Sequence, residues 1–129
     1  MCKTIFLLLL AVVSSGAAAE WVQVGANETI TSYADPATIR KEGATVKMRD
    51  LCDFKTVQAR PYGMPYLSQK MQREYDCTQQ RARIIELLHY SENMGQGDIT
   101  HSDSEPGKWE AVAAGTASKA LWEFACGKR

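Results

Sequence analysis

Nine consecutive apolar residues, Ile5 to Val13, follow a short basic start at Met1-Cys2-Lys3, and Ala17-Ala18-Ala19 supplies the small-x-small pattern that a signal peptidase cuts. This reads as a secretory signal over residues 1–19, cleaved after Ala19. A membrane-crossing helix needs about 20 apolar residues, more than twice this run. A lipidated cysteine should follow the apolar run, and Cys2 precedes it. The folding unit is then one domain, residues 20–129, or 110 of the 129 residues. It folds in an oxidising compartment, where cysteines pair.

A domain of that length buries somewhat under about 70% of its unfolded surface, enough for one core with little to spare. Loss of Lys3 leaves fourteen Lys and Arg against fifteen Asp and Glu. With no basic surplus there is no electrostatic footprint for nucleic acid. At 45% hydrophobic and 23% charged residues, the chain has the usage of a globular domain rather than a disordered one. No second apolar run of membrane length follows the signal.

The mature cysteines are Cys52, Cys77 and Cys126, an odd set that allows one bridge and one leftover thiol. Three pairings are open. Cys77 follows the polar run Glu74-Tyr75-Asp76, and Cys126 lies near the chain end, where fraying is otherwise expected. A Cys77–Cys126 bridge would staple that end to the body, and it is the favoured pairing. Cys52 lies in an apolar strand candidate, where a thiol behaves as a small core hydrophobe.

Most of the body reads as strands. Trp21 to Val24 is a short one. Glu28 to Ala34 is rich in Thr, Ile and Tyr, which suit a pleated surface, and Asp35-Pro36 predicts a turn after it. Lys41-Glu42-Gly43 predicts another turn. From Ala44 to Phe54, Val46, Met48, Cys52 and Phe54 share one parity with Asp50, so Asp50 sits near an exposed end or pairs with an arginine. Past the break at Pro61 to Pro65, Tyr66 to Cys77 alternates like a strand with one solvated side. Arg81 to Ser91 fits a helical stripe as well, but strand neighbours favour a strand. Asp98 to Ser102 and Trp109 to Val112 are shorter strand candidates. At the end the period changes: Ala117, Ala120, Leu121, Phe124 and Ala125 recur at helical spacing, with Thr116 to cap and Gly127 to stop. The expected class is α+β, an antiparallel β-sheet of about five to seven strands with one C-terminal amphipathic helix packed on it.

Chemistry-bearing motifs are sparse. There is no C-x-x-C pair, and His89 and His101 are far in sequence from every cysteine, so no metal site is expected. Met48, Met64, Met71 and Met94 are scattered in the manner of core filler. Ser91, His101 and Asp103 could be assembled into a triad, but no G-x-S-x-G elbow supports it. Cys52 with His89 would be a thiol dyad only in an electropositive, partly exposed setting. His89 is read as an outward strand residue and His101 as solvated. Asp50 and Asp53 have opposite parity and point to opposite faces. Gly95 and Gly97 are turn glycines rather than a phosphate loop, and no cofactor is expected. Asn27-Glu28-Thr29 matches a glycosylation sequon, relevant only in a eukaryotic secretory pathway. Lys70, Arg73, Arg81 and Arg83 form a candidate basic patch for anionic polymers or lipid headgroups. Glu74, Asp76 and Glu86 intersperse the opposite sign, which favours a solvated sheet face instead.

Trp21, the Tyr33-x-Asp35 pair, Val46 to Phe54, Glu74-Tyr75-Asp76-Cys77, Arg81 to Tyr90, Gly95-x-Gly97, Trp109 and Ala125-Cys126-Gly127 occur in an order and spacing that resembles the bacterial surface-adhesin protein E domain. The resemblance spans essentially the whole mature chain. It implies an antiparallel sheet, a helix near the C-terminus and a bridge between Cys77 and Cys126. It also implies a non-enzymatic protein of the bacterial periplasm or cell surface that binds extracellular host or envelope proteins. A homodimer through an exposed strand edge is a corollary. The competing expectation is a periplasmic small-ligand-binding or inhibitor-like protein.

Overall fold

In the computed structural model, which describes residues 20–127, the alternating segments become strands of a single antiparallel sheet. The signal assigned to residues 1–19 lies outside the described residues. The strands are β1 (Val22–Ala26), β2 (Ile30–Glu42), β3 (Thr45–Gln58), β4 (Tyr66–Asp76), β5 (Arg81–Tyr90), β6 (Ile99–Asp103) and β7 (Glu110–Ala111), and helix α1 spans Ala117–Cys126. Neighbours in space are neighbours in sequence from β1 to β6. The last strand, β7, pairs with the first residues of β5 (Arg81↔Ala111), while β6 pairs with its last ones (His89↔His101). The expected α+β class and strand number are those observed.

Local chemistry sets each reversal. Glu42 faces Thr45 across a two-residue hairpin in which Gly43 adopts φ +67°, a conformation that costs a residue without Cβ nothing. Asn27 makes the preceding turn: its Oδ1 accepts from the Thr29 amide, the Thr29 hydroxyl and the Ile30 amide. Between β4 and β5 the organiser is Asp76. Its carboxylate accepts from the Thr78 hydroxyl, the Thr78 and Gln79 amides and Arg81 Nε. The Thr78 hydroxyl leads in holding its pKa down to about 2, with Arg81 and the amides adding to it against partial burial. A depressed carboxylate stabilises the fold above its unfolded pKa, near about 3.9, and that contribution fades as pH falls towards 2.

One predicted turn is corrected. Asp35-Pro36 does not end β2, which runs on to Glu42 through an irregularity between Asp35 and Arg40. Pro36 removes a ladder donor, and Thr38 bridges the gap: its hydroxyl donates to the Asp35 carbonyl (2.7 Å) and accepts from the Arg49 amide (2.9 Å). The pairing of β1 stops at Ala34, so Pro36 sits where no outer partner asks for its amide.

Two-residue periodicity places Val46, Met48, Asp50 and Cys52 on one face of β3. Helix α1 lays Leu121, Trp122 and Ala125 against that face, onto Ala34, Val46, Met48, Tyr75, Ala82 and Val112. Thr116 caps the helix by accepting from the Lys119 amide, and Gly127 ends it at φ +72°. Two further ties hold it: Trp122 Nε1 donates to the Asp76 carbonyl (2.9 Å), and Cys126 is bonded to Cys77. Cys52 is a free, buried thiol. The opposite face is covered at its other end by residues 91–98. There the Ser68 hydroxyl donates to the Glu92 carbonyl and accepts from the Gly95 amide, while Asp53 accepts from the Met94 amide.

The bridge closes a loop with a sequence separation of 49, so its loss should free much chain entropy in the unfolded state. Replacing both partners (Cys77→Ser with Cys126→Ser) is expected to cost about 2–4 kcal/mol in denaturant unfolding. A reduced wild-type chain should match the double variant, and equal midpoints for oxidised wild type and variant would refute the assignment.

Candidate functional site

The four cations read as a candidate basic patch do not converge. Arg73 lies on the helix-bearing face, where its Nε donates to Asp50 (2.9 Å) and its Nη2 to Met71 Sδ (3.2 Å). Arg81 and Arg83 lie on the other face, ion-paired to Asp76 and Glu74, with both guanidinium groups over the Trp109 ring at 4.8 and 4.9 Å. Lys70 Nζ lies 4.9 Å from the Tyr90 ring centre and 5.9 Å from that of Trp21. With Arg49 paired to Glu86, that face is a lattice of alternating signs rather than a field of one sign.

The Asp50–Arg73 pair is the buried electrostatic feature. Burial pushes the Asp50 carboxyl above its ordinary range, and Arg73 opposes that through charge and hydrogen bond. Burial works against the charge on Arg73, but Asp50 more than restores it. Beside them, burial and the Asp50 charge push the Cys52 thiol up to about 11, the reverse of what a nucleophile needs. Burial also raises the Tyr75 phenol, whose oxygen has no hydrogen-bond partner among the described residues.

His89 requires a correction. Counting by twos from Arg81 sends it outward, yet it is 4% exposed. The register slips between Gln72 and Arg73 on β4, which face Glu86 and Ile84, so Ile85 is an extra residue on β5. That bulge reverses parity, and Gly107 donates to the Ile84 carbonyl beside it (2.8 Å). His89 therefore lies in one row with Gln69 and Cys52. Its ring stacks on Tyr66 at 3.7 Å and 15°, and Tyr66 meets Phe54 edge-on at 5.6 Å. His101 lies across the strands at 5.1 Å and is only partly exposed, its Nδ1 2.9 Å from Arg60 Nη1. Because guanidinium can only donate, Nδ1 of His101 accepts. His89 Nδ1 is buried with no partner among the described residues. Burial, then His101, then Arg60 lower the His89 pKa to about 4. The Tyr66 face favours a charged ring, but by only about 0.5–1 kcal/mol.

Outside this cluster the sheet ends in an apolar tip that the sequence did not reveal. Val57 is the penultimate residue of β3, Tyr62 and Met64 lie in the connection to β4, and Ile99 opens β6; they are 62%, 109%, 61% and 56% exposed. Val57, Met64 and Ile99 line a cleft of about 350 Å³ together with Pro65, Tyr66, Ser91, Asp98 and Thr100. Tyr62 has φ +59°, a left-handed conformation that is uncommon for a bulky residue and costs roughly 1–3 kcal/mol. The composition of the tip could have flagged it: Pro61, Tyr62, Met64 and Pro65 are unusually apolar for a loop.

The triad reading finds no geometry. Ser91 Oγ accepts from the Asp98 amide, Asp103 accepts from the Glu105 amide, and His101 Nδ1 meets Arg60 instead of a carboxylate. Among the described residues no three His, Cys, Asp or Glu are gathered as a metal site requires, and no helix is long and apolar enough to cross a membrane.

The family described as Surface-adhesin protein E matches residues 21–127. The chain belongs to the surface-adhesin protein E family. Three structures of Haemophilus influenzae protein E share the fold. Crystal form II has a TM-score of 0.64 at 13% identity, covering 83% of this chain and 87% of that one. A second structure gives 0.63 at 13% identity, with 83% of each chain covered. A selenomethionine form gives 0.58 at 12% identity, covering 85% and 92%. No curated protein matches the sequence. Membership in a family of bacterial surface proteins supports an adhesin-like role.

In this adhesin-family chain the buried pair gives a direct test of core electrostatics. Asp50→Ala is expected to cost about 3–5 kcal/mol, because it strands the Arg73 charge in the interior. Asp50→Leu combined with Arg73→Met should recover most of that loss in denaturant unfolding. A double variant as unstable as the single one would contradict this account.

Proposed function

We propose that the mature chain, residues 20–129, is an exported, non-enzymatic binding protein that contacts extracellular host or envelope proteins through its apolar tip. The observation that carries this reading is the gathering of four of the five exposed large apolar side chains of the described residues, Val57, Tyr62, Met64 and Ile99, at one end of the sheet. Contiguous exposed apolar surface rimmed by polar residues marks contact sites. Family membership supplies the class of activity, and the signal read at residues 1–19 supplies the route.

Non-enzymatic action is supported by the Cys52 thiol, whose pKa lies well above neutrality, by the Ser91 hydroxyl, which accepts from the Asp98 amide, and by the His101 imidazole, which meets Arg60. A small-ligand or inhibitor-like role has less behind it, since the tip cleft has mainly apolar walls and few convergent polar groups. Among the described residues β1 and β6 are outer strands of the sheet, and an edge strand is a route to homodimers.

The test combines location and contact. Surface labelling of intact cells should reach the protein, and detection only after lysis would exclude adhesion. Purified Tyr62→Asp and Met64→Asp chains should keep their unfolding midpoints. Each should bind immobilised extracellular-matrix proteins about 10–100-fold more weakly than wild type, as expected for loss of an anchoring side chain. Unchanged binding would remove the tip from the proposal.

A further inference from the structure

Beneath the tip, three groups able to carry positive charge are packed together. Arg60 comes from the connection between β3 and β4, His101 from β6 and His89 from β5. The groups that face the His89 ring are Tyr66 and its register partner Gln69 from β4, His101 from β6 and, through its charge, Arg60. The charges that act on it are those of His101 and Arg60, and both oppose protonation. In the neutral form the arrangement is self-consistent. Arg60 has an acceptor in His101, and the His89 ring lies flat on Tyr66, a wall of the tip cleft.

Acid works against the first of these supports and adds a burial cost at His89 that the Tyr66 face offsets only in part. An imidazolium has two donors and no acceptor, so a protonated His101 loses its bond with Arg60 and repels it. A charged His89 would bury an N–H at Nδ1 with no acceptor among the described residues. We infer that Arg60, His89 and His101 form an acid-sensitive latch, which pins residues 59–65 to β6 at neutral pH and releases the tip in mild acid. The latch rests on the proposed tip only for its biological consequence; its opening is a property of the chain alone.

The sign follows from the imidazole that is held below its ordinary range. His89 falls from an unfolded value near about 6.5 to about 4 in the fold, so the unfolded or opened state binds the extra proton. Stability of the latch is fully present above the unfolded value and is lost as pH falls towards 4.

Amide hydrogen exchange on the mature chain tests this without a binding partner. Between about pH 7.5 and 4.5, protection of the Gly63 amide and of residues 99–103 should drop about 10–100-fold, while amides near Leu51 and Tyr75 keep theirs. His89→Phe keeps a flat ring on Tyr66 that cannot charge, and should abolish most of the drop. Uniform protection in wild type, or a variant as acid-sensitive as wild type, overturns the latch. Should the variant not fold, titration of the His89 ring in wild type decides, and an ordinary value near about 6.5 rejects the proposal. Matrix-protein binding measured in the same pH series separates the two readings. Opening without loss of binding removes the tip as contact surface and leaves the latch standing, whereas binding without any opening does the reverse.

Discussion

Attachment of the C-terminal helix to the end of β4 is the constraint on which the remaining structure depends. Asp76 and Cys77 are adjacent, and they do three separate jobs within two residues. The Asp76 carboxylate shapes the turn into β5, its carbonyl takes the Trp122 indole proton, and Cys77 takes the covalent link from Cys126. A chain of this size has a thin core, and a ten-residue helix is marginal by itself. Fixing it at one point turns its apolar stripe into a lid over Val46, Met48 and Tyr75, and so gives the sheet a dry side. Without that lid the same face would expose a buried ion pair to water and leave the tail to fray.

The charge lattice on the opposite face follows from the same economy of size. One face is occupied by the helix and part of the other by residues 91–98, so the rest of that second face has to be soluble by its own side chains. Cross-strand pairs of Arg49 with Glu86 and of Arg83 with Glu74 do this, and Trp109 lies beneath two guanidinium groups. Exposed pairs of this sort contribute little stability, roughly 0–1 kcal/mol. Their physical effect is to keep a broad sheet hydrated without a net field. The four basic residues within fourteen positions are accordingly met by carboxylates or aromatic rings instead of forming one cationic patch.

Sequence reasoning reached the strands wherever alternation ran unbroken, as in Val46 to Phe54, and reached the helix because Thr116, the apolar spacing and Gly127 agree. It misplaced residues wherever the backbone departs from strict periodicity. Pro36 reads as a stop, but Thr38 carries the strand past it. His89 reads as exposed, but one extra residue at Ile85 exchanges the faces of everything after it. A bulge has no compositional mark of its own: it arises from what the neighbouring strand and Gly107 demand. Arg73 illustrates the complementary difficulty. It reads as one member of a basic patch, and nothing local to it names Asp50, which is brought within 2.9 Å by strand pairing. Site residues that depend on register are therefore the hardest to read, and here they include both the imidazole pair and the buried ion pair.

The two ends of the sheet then divide the work. At the helix end, covalent and packing restraints overlap, and a side chain there has few alternatives. At the tip, order rests on polar contacts of single strength: Arg60 on His101, Asn93 on Asp53 and the Phe54 carbonyl, Asp98 on Ser91. Two residues there, Tyr62 and Met94, hold left-handed backbone conformations that no glycine relieves. Strain of that kind persists only when surrounding contacts over-determine it, and the contacts here are the ones that pH and solvent reach. A surface that must meet another protein gains from such a setting, because apolar side chains held outward by a few breakable bonds are presented to a partner and can adjust on contact. The well-restrained end makes that looseness tolerable, since opening at the tip need not propagate into the core beneath the helix.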